Sequence, residues 1–172
     1  MIFHFVFSTT VLTILIHLTV TRRQGFSADR VFEVCLLYLL TIQWGFGGML
    51  MALPHILVPD IVAGYIGWPE GSPFQVELGF ASLGISALGA LCFWLRGTFW
   101  LAPVIAQSTF LLGAAYVHIL DAQTTGNLNP GNVGPVLFYD IAMPAMGIGL
   151  LIAHYRNGGL MRPAATPAAT PA

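Results

Sequence analysis

The chain has 172 residues, of which 56% are hydrophobic and only 8% charged, with mean hydropathy +0.80. So few charges cannot clothe a soluble domain of this size, which excludes that class. A formal net charge of −1 offers no basic surface for nucleic acid, and two cysteines without a CxxC spacing offer no redox or zinc motif.

A helix that spans a bilayer needs about 20 mostly apolar residues. Five stretches qualify in chain order: Ile2 to Thr21, Val31 to Leu53, Val76 to Leu95, Thr98 to Leu120 and Val133 to Tyr155. They predict an all-α polytopic bundle with one transmembrane domain over residues 1–156 and a flexible Pro/Ala/Thr-rich tail over 157–172. The first stretch has no basic segment before it; its arginines follow instead. It therefore reads as a retained first helix and not as a signal peptide. A short basic loop, Arg22 to Arg30, leads to the second stretch, where Ser27 or Asp29 can cap the helix and Asp29 and Glu33 suit its positive end.

Pro54 to Phe74 is a long connection. It contains Ile56 to Ile66, apolar but too short to span, bracketed by Pro54, Pro59, Pro69 and Pro73. Tyr65 and Trp68 read as interface anchors, so this segment is expected to lie along the membrane surface. The third helix has a start signal in Ser72-Pro73-Phe74-Gln75: Ser72 as N-cap, Pro73 as first helical residue, Gln75 as the reciprocal partner of a capping box. A tight turn at Arg96-Gly97-Thr98 makes the third and fourth helices antiparallel neighbours. The loop DAQTTGNLNPGN, Asp121 to Asn132, is rich in turn formers, and Pro135 suits the first turn of the fifth helix. The final PAATPAATPA is low in complexity and carries no fold assignment.

Small residues recur at four-residue spacing: Gly48 and Ala52, then Ser82, Ser86 and Ala90, then Ala145, Gly149 and Ala153. Such stripes let backbones approach closely in lipid. The first helix lacks one and is expected at the edge of the bundle.

The chain has no lysine, and its six arginines alternate between connections. Arg22, Arg23 and Arg30 follow the first stretch, Arg96 the third, and Arg156 and Arg162 the fifth. Cytoplasmic loops collect Lys and Arg, so the expected topology is N-terminus out and C-terminus in, as a multi-pass protein of a bacterial inner membrane.

That topology sets depth. Glu77, His118 and Asp140 fall near the outer face on three helices, with Gln43 and Gln107 below them. Each of the three sits above small residues on a helical stripe: Ala81 and Gly84 for Glu77, Ala114 and Ala115 for His118, Pro144 and Gly147 for Asp140. Pro144 removes the backbone bond to the Asp140 carbonyl, so the fifth helix is expected to bend there. One reading is a polar pocket built from Glu77, His118 and Asp140, with Gln43 or Gln107 beneath, for ligand binding or proton transfer. The other is that Glu77 is a shallow acid, His118 touches headgroups, and helix–helix hydrogen bonds retain the rest. The same trio are weak metal-ligand candidates, without any HExxH or ExxH motif. Haem is a further candidate cofactor, with His17 and His154 near the inner face and His4, His55 and His118 near the outer one.

The run Trp68 to Glu77, with Gly71-Ser72-Pro73-Phe74-Gln75-Val76-Glu77, and the later His118, Gly126-Asn127, Pro130-Gly131-Asn132-Val133-Gly134 and Asp140 resemble an uncharacterised family of small bacterial membrane proteins. That family is similar in its G-S-P-F-Q-x-E helix start and its G-N…P-G-N-x-G loop. The resemblance spans about Gln43 to Tyr155 and implies no established activity. A looser similarity is to four-helix membrane proteins of the DoxX type, which implies quinone as a candidate cofactor. The chain thus reads first as a non-catalytic membrane protein, a ligand-binding or accessory subunit whose partners are the bilayer and other membrane subunits. The alternative is a quinone-linked redox enzyme or a proton-coupled carrier that uses Glu77, His118 and Asp140.

Overall fold

The computed structural model describes residues 2–158, and all the regular structure in them is helical. The tail, with Arg162 and PAATPAATPA, lies outside the described residues. Helix α1 covers Ile2–Val20 and α2 covers Ala28–Tyr38; α2 continues through a π-helical stretch, Leu39–Phe46, into α3, Gly47–Leu57. A short α4, Pro59–Ile66, follows. Helix α5 covers Phe74–Leu91, α6 covers Leu101–Thr125, α7 is the single turn Pro130–Val133, and α8 covers Pro135–Arg156. Among the described residues, five helical segments are long and apolar enough to cross a membrane: Ile2–Val20, Ala28–Leu57, Phe74–Leu91, Gly97–Thr125 and Pro130–Arg156.

The surface is apolar and much of the interior polar. Phe5, Leu12, Phe80, Ile105, Tyr116 and Phe138 are exposed, whereas Gln43, Gln75, Gln107, Asn132, His118, Asp140 and His154 are buried. In water this arrangement would strand large apolar patches. In lipid it is the arrangement expected, because helices associate there through close packing and interhelical hydrogen bonds.

Close approach holds the bundle together. Gly45, in the π stretch, lies against the α5 backbone at Gly89 and Ala90, and Gly48 of α3 lies against Ser86 of α5. Helix α5 therefore packs along the π stretch and α3 more than along α6, its neighbour across the turn. Helix α6 packs on α8, where Gly147 receives the indole of Trp44. The expected small stripe on α8 is not the one used: Ala145 and Gly149 are exposed, and the inner face is Asp140, Met143, Pro144, Gly147, Leu151 and His154. Helix α1 does sit at the edge, with only Val6 and Thr10 buried.

Two local expectations change. The second span runs past Pro54 to Leu57, where Val58 breaks it with φ −140° and ψ 55°. Pro54 lies inside the helix, four residues before this break, and its missing N–H leaves the Leu50 carbonyl without its usual intrahelical donor. Ser72 Oγ does accept from the Phe74 N–H, at 3.2 Å, but Gln75 makes no capping box; its Oε1 meets His55 Nδ1 at 2.8 Å. A partner on a neighbouring helix has displaced the local one. Ser27, by contrast, is the N-cap of α2 and accepts from the Arg30 N–H. Helix α8 stays helical from Pro135 to Arg156 with Pro144 inside it.

The arginine-bearing connections gather at one end of the bundle. Arg96 lies 3.6 Å from Glu33, Tyr155 Oη donates to the Gly97 carbonyl, and His154 lies 3.5 Å from Asp29. The opposite end is built from α4, α7 and the Asp121–Asn129 loop, and among the described residues it carries no arginine.

Candidate functional site

At the end away from the arginines, α3, α4, α5, α6, α7 and α8 surround a cavity of about 300 Å³. Its wall is mostly apolar, and its polar members include His55, Gln107, His118, Tyr139 and Asp140. The site is centred on His118 and Asp140. Both are buried, and His118 Nε2 lies 3.9 Å from Asp140 Oδ2. They meet because α6 and α8 pack closely and each carries its polar residue on the shared face.

Asn132 settles the protonation of His118. It is fully buried, and its Nδ2 donates to the carbonyls of Asn127, at 2.8 Å, and of His118, at 3.3 Å. Its orientation is therefore set, because a flipped amide would oppose oxygen to oxygen. Asn132 Oδ1 then faces His118 Nδ1 at 2.6 Å as an acceptor, so Nδ1 carries the proton. The Nε2 of a neutral His118 is thus a lone pair aimed at the Asp140 carboxylate. Two acceptors do not attract, and at 3.9 Å the two atoms are too far apart to hydrogen-bond directly. Asp140 Oδ2 is buried and has no hydrogen-bond partner among the described residues.

Trp68 roofs the pair. Its indole stacks on the His118 ring, with centroids 5.5 Å apart and planes 18° apart, and its Nε1 donates to Asp121 Oδ2 at 2.9 Å. Sequence reasoning read Trp68 as an interface anchor; the fold turns α4 inward, so that Val62, Tyr65, Ile66 and Trp68 line the cavity. Asn127 ties this roof down by donating to the Ile66 carbonyl, at 2.9 Å, and to Asp121, at 2.7 Å. Gly67 takes φ +88° there, a left-handed conformation that favours glycine.

The other predicted site residues fall differently. Gln107 is buried and lines the cavity. Gln43 lies beside it, accepting from Thr10 at 3.3 Å and donating to Tyr139 Oη at 3.3 Å, so it reaches the cavity only through Tyr139. Glu77 does not join His118 and Asp140. It is exposed, as are Ala81 and Gly84 on its stripe. The reason is angular: α5 buries Gln75, Gly79, Ser86 and Gly89, and Glu77 lies two residues from both Gln75 and Gly79, on the far side of the helix. Equal depth had placed Glu77 with the others; rotation separates it.

Among the described residues no three His, Cys, Asp or Glu side chains converge as a metal site, so Glu77, His118 and Asp140 are not one ligand set. Four of the five histidines considered for haem have separate partners: His17 Nδ1 with Tyr38 Oη, at 2.8 Å, His154 with Asp29, His55 with Gln75 and His118 with Asn132. His55, Tyr139 and Asn132 were absent from the predicted pocket. The signal that could have flagged Asn132 was its place in the Pro-Gly-Asn turn, fourteen positions from His118, which a short loop folds back onto α6.

A family model described as a family of unknown function, DUF6790, matches residues 1–159, and the chain belongs to that family. No curated protein and no solved structure matches it.

Proposed function

For this member of a family of unknown function, we propose an integral membrane protein of a bacterial inner membrane, N-terminus out, that binds a small amphiphilic ligand. The ligand's apolar body occupies the cavity and its hydroxyl or carbonyl head meets His118 and Asp140. One observation carries the reading: a cavity of about 300 Å³, mostly apolar, is lined by a buried His–Asp pair. Ligand sites are typically apolar concavities of about 300–1,000 Å³ with a few placed polar groups. The role is non-catalytic, as a binding protein or an accessory subunit of a membrane complex. A second reading, quinone-linked redox chemistry or proton-coupled transport, is favoured by the same buried His–Asp pair, since a reduced quinone must shed protons where it is oxidised.

The test uses detergent-purified protein titrated with a short-chain benzoquinone and, separately, a medium-chain alcohol, read by quenching of Trp68 with Trp68→Phe as control. Losing a hydrogen bond and leaving its buried partner unsatisfied costs about 1–3 kcal/mol, so His118→Ala is expected to weaken binding about tenfold. Equal affinity of His118→Ala and wild type would reject the site. Binding of both probes favours a simple binding protein; selective binding of the quinone favours the redox reading.

The orientation has its own test. In a background lacking Cys35 and Cys92, cysteines at Ser72 and Thr125 are expected to react with an impermeant thiol reagent in intact cells, and one at Asn157 is not. The reverse pattern would place the cavity on the cytoplasmic side.

A further inference from the structure

The arginine end of the bundle holds a second cavity, of about 320 Å³, that owes nothing to the ligand site. It lies between α1, the start of α2 and the turn after α5, and its polar wall is made by His17, Gln24, Ser27, Arg30, Glu33 and Arg96. We propose that this cavity binds a phosphodiester anion.

The two guanidiniums come from different turns and are held from behind. Arg30 donates to the Gly25 carbonyl and to Thr21 Oγ1, which leaves further N–H groups for the cavity. Arg96 sits over the Trp100 ring, 5.9 Å from its centroid, and 3.6 Å from Glu33 Oε1. A planar, pre-oriented guanidinium suits phosphate oxygens. Charge narrows the class. Two guanidiniums against one carboxylate leave a single unbalanced positive charge, the complement of a phosphodiester monoanion. A phosphomonoester dianion would also need His17 charged. Gln24 and Ser27 supply neutral polar groups at the rim. Leu15, Ile16 and Val20 of α1, around His17, are exposed and apolar, so acyl chains can lie along α1 while a headgroup enters the cavity. Basic pockets between membrane helices commonly hold such headgroups.

The same chemistry can come from a phospholipid or from a soluble phosphate, and the experiment separates them. Full-length protein in detergent is loaded with phosphatidylglycerol, and the retained lipid is measured by native mass spectrometry, with and without millimolar inorganic phosphate. One basic residue near a lipid surface is worth about fivefold in binding. Arg30→Gln is expected to lose about that factor and Glu33→Gln to gain it, because the unbalanced charge falls to zero in one and rises to two in the other. A gain in Glu33→Gln is the decisive sign, and it stands even if Arg30→Gln folds poorly. If Glu33 served only to position Arg96, its loss would weaken retention. Displacement by phosphate assigns the site to soluble anions, and retention in its presence assigns it to lipid. Equal retention by wild type, Arg30→Gln and Glu33→Gln, or weaker retention in Glu33→Gln, overturns the proposal.

Discussion

Asp140→Asn is expected to leave the fold intact, to raise its thermal stability in detergent, and to weaken ligand binding about tenfold. The argument rests on the tautomer that Asn132 imposes. With the proton on Nδ1, His118 presents a lone pair to a carboxylate 3.9 Å away, and two facing acceptors do not attract. An asparagine at 140 can aim Nδ2 at Nε2 and donate permanently. A net hydrogen bond contributes about 0.5–1.5 kcal/mol, which sets the expected gain. Binding falls because the carboxylate that lines the cavity beside His118 is gone. His118→Ala should act oppositely on the fold: it strands Asn132 Oδ1 in the interior, at a cost of about 1–3 kcal/mol. Melting curves in detergent check this. A loss of stability in Asp140→Asn would mean that the carboxylate makes a favourable contact the amide cannot replace, and the reading of two facing acceptors would be wrong.

Gly89→Ala and Gly45→Ala are expected to destabilise the fold strongly. A Cβ on Gly45 would lie 2.6 Å from the Ala90 nitrogen, and one on Gly89 would lie 2.8 Å from the Leu40 carbonyl oxygen. Both obstacles are backbone, so no rotamer change relieves them and the two helices must part. Overpacking typically costs about 1–3 kcal/mol, and these sites belong at the upper end. Gly84→Ala, Gly113→Ala and Gly149→Ala are the controls, since a Cβ there meets nothing within 4 Å. Alanine is a better helix former than glycine by about 1 kcal/mol, so those three are expected to be neutral or slightly stabilising. A similar melting temperature for both groups would remove the close α5 contact as a support of the fold.

The amino-acid sequence by itself determined the five apolar helices, the edge position of α1, a cap at Ser27 or Asp29, and the inward stripes Gln107–His118 and Asp140–Leu151. These follow from local rules: runs long enough for a bilayer, side chains that cap a helix, and residues three or four apart sharing one face. It also put the arginines at alternate connections, and helices that pack side by side bring those connections together.

Only the tertiary structure decided rotation and partners. Depth along a helix can be counted from its ends, but the direction in which α5 turns depends on where glycine lets it touch α3. That contact buries Gln75 and sends Glu77 outward. The π stretch buries six of its eight residues, Leu39, Leu40, Thr41, Gln43, Trp44 and Gly45, a pattern no α-helical period announces. The roof over the site was equally hidden: Trp68 looks like an interface residue until α4 folds back and lays it on His118. Asn132, the residue that fixes the proton on that histidine, is close to it only because one short loop returns the chain to α6. Local spacing is written in the order of residues, whereas the meeting of two distant side chains depends on how whole helices pack, and that is settled by contacts spread over the bundle.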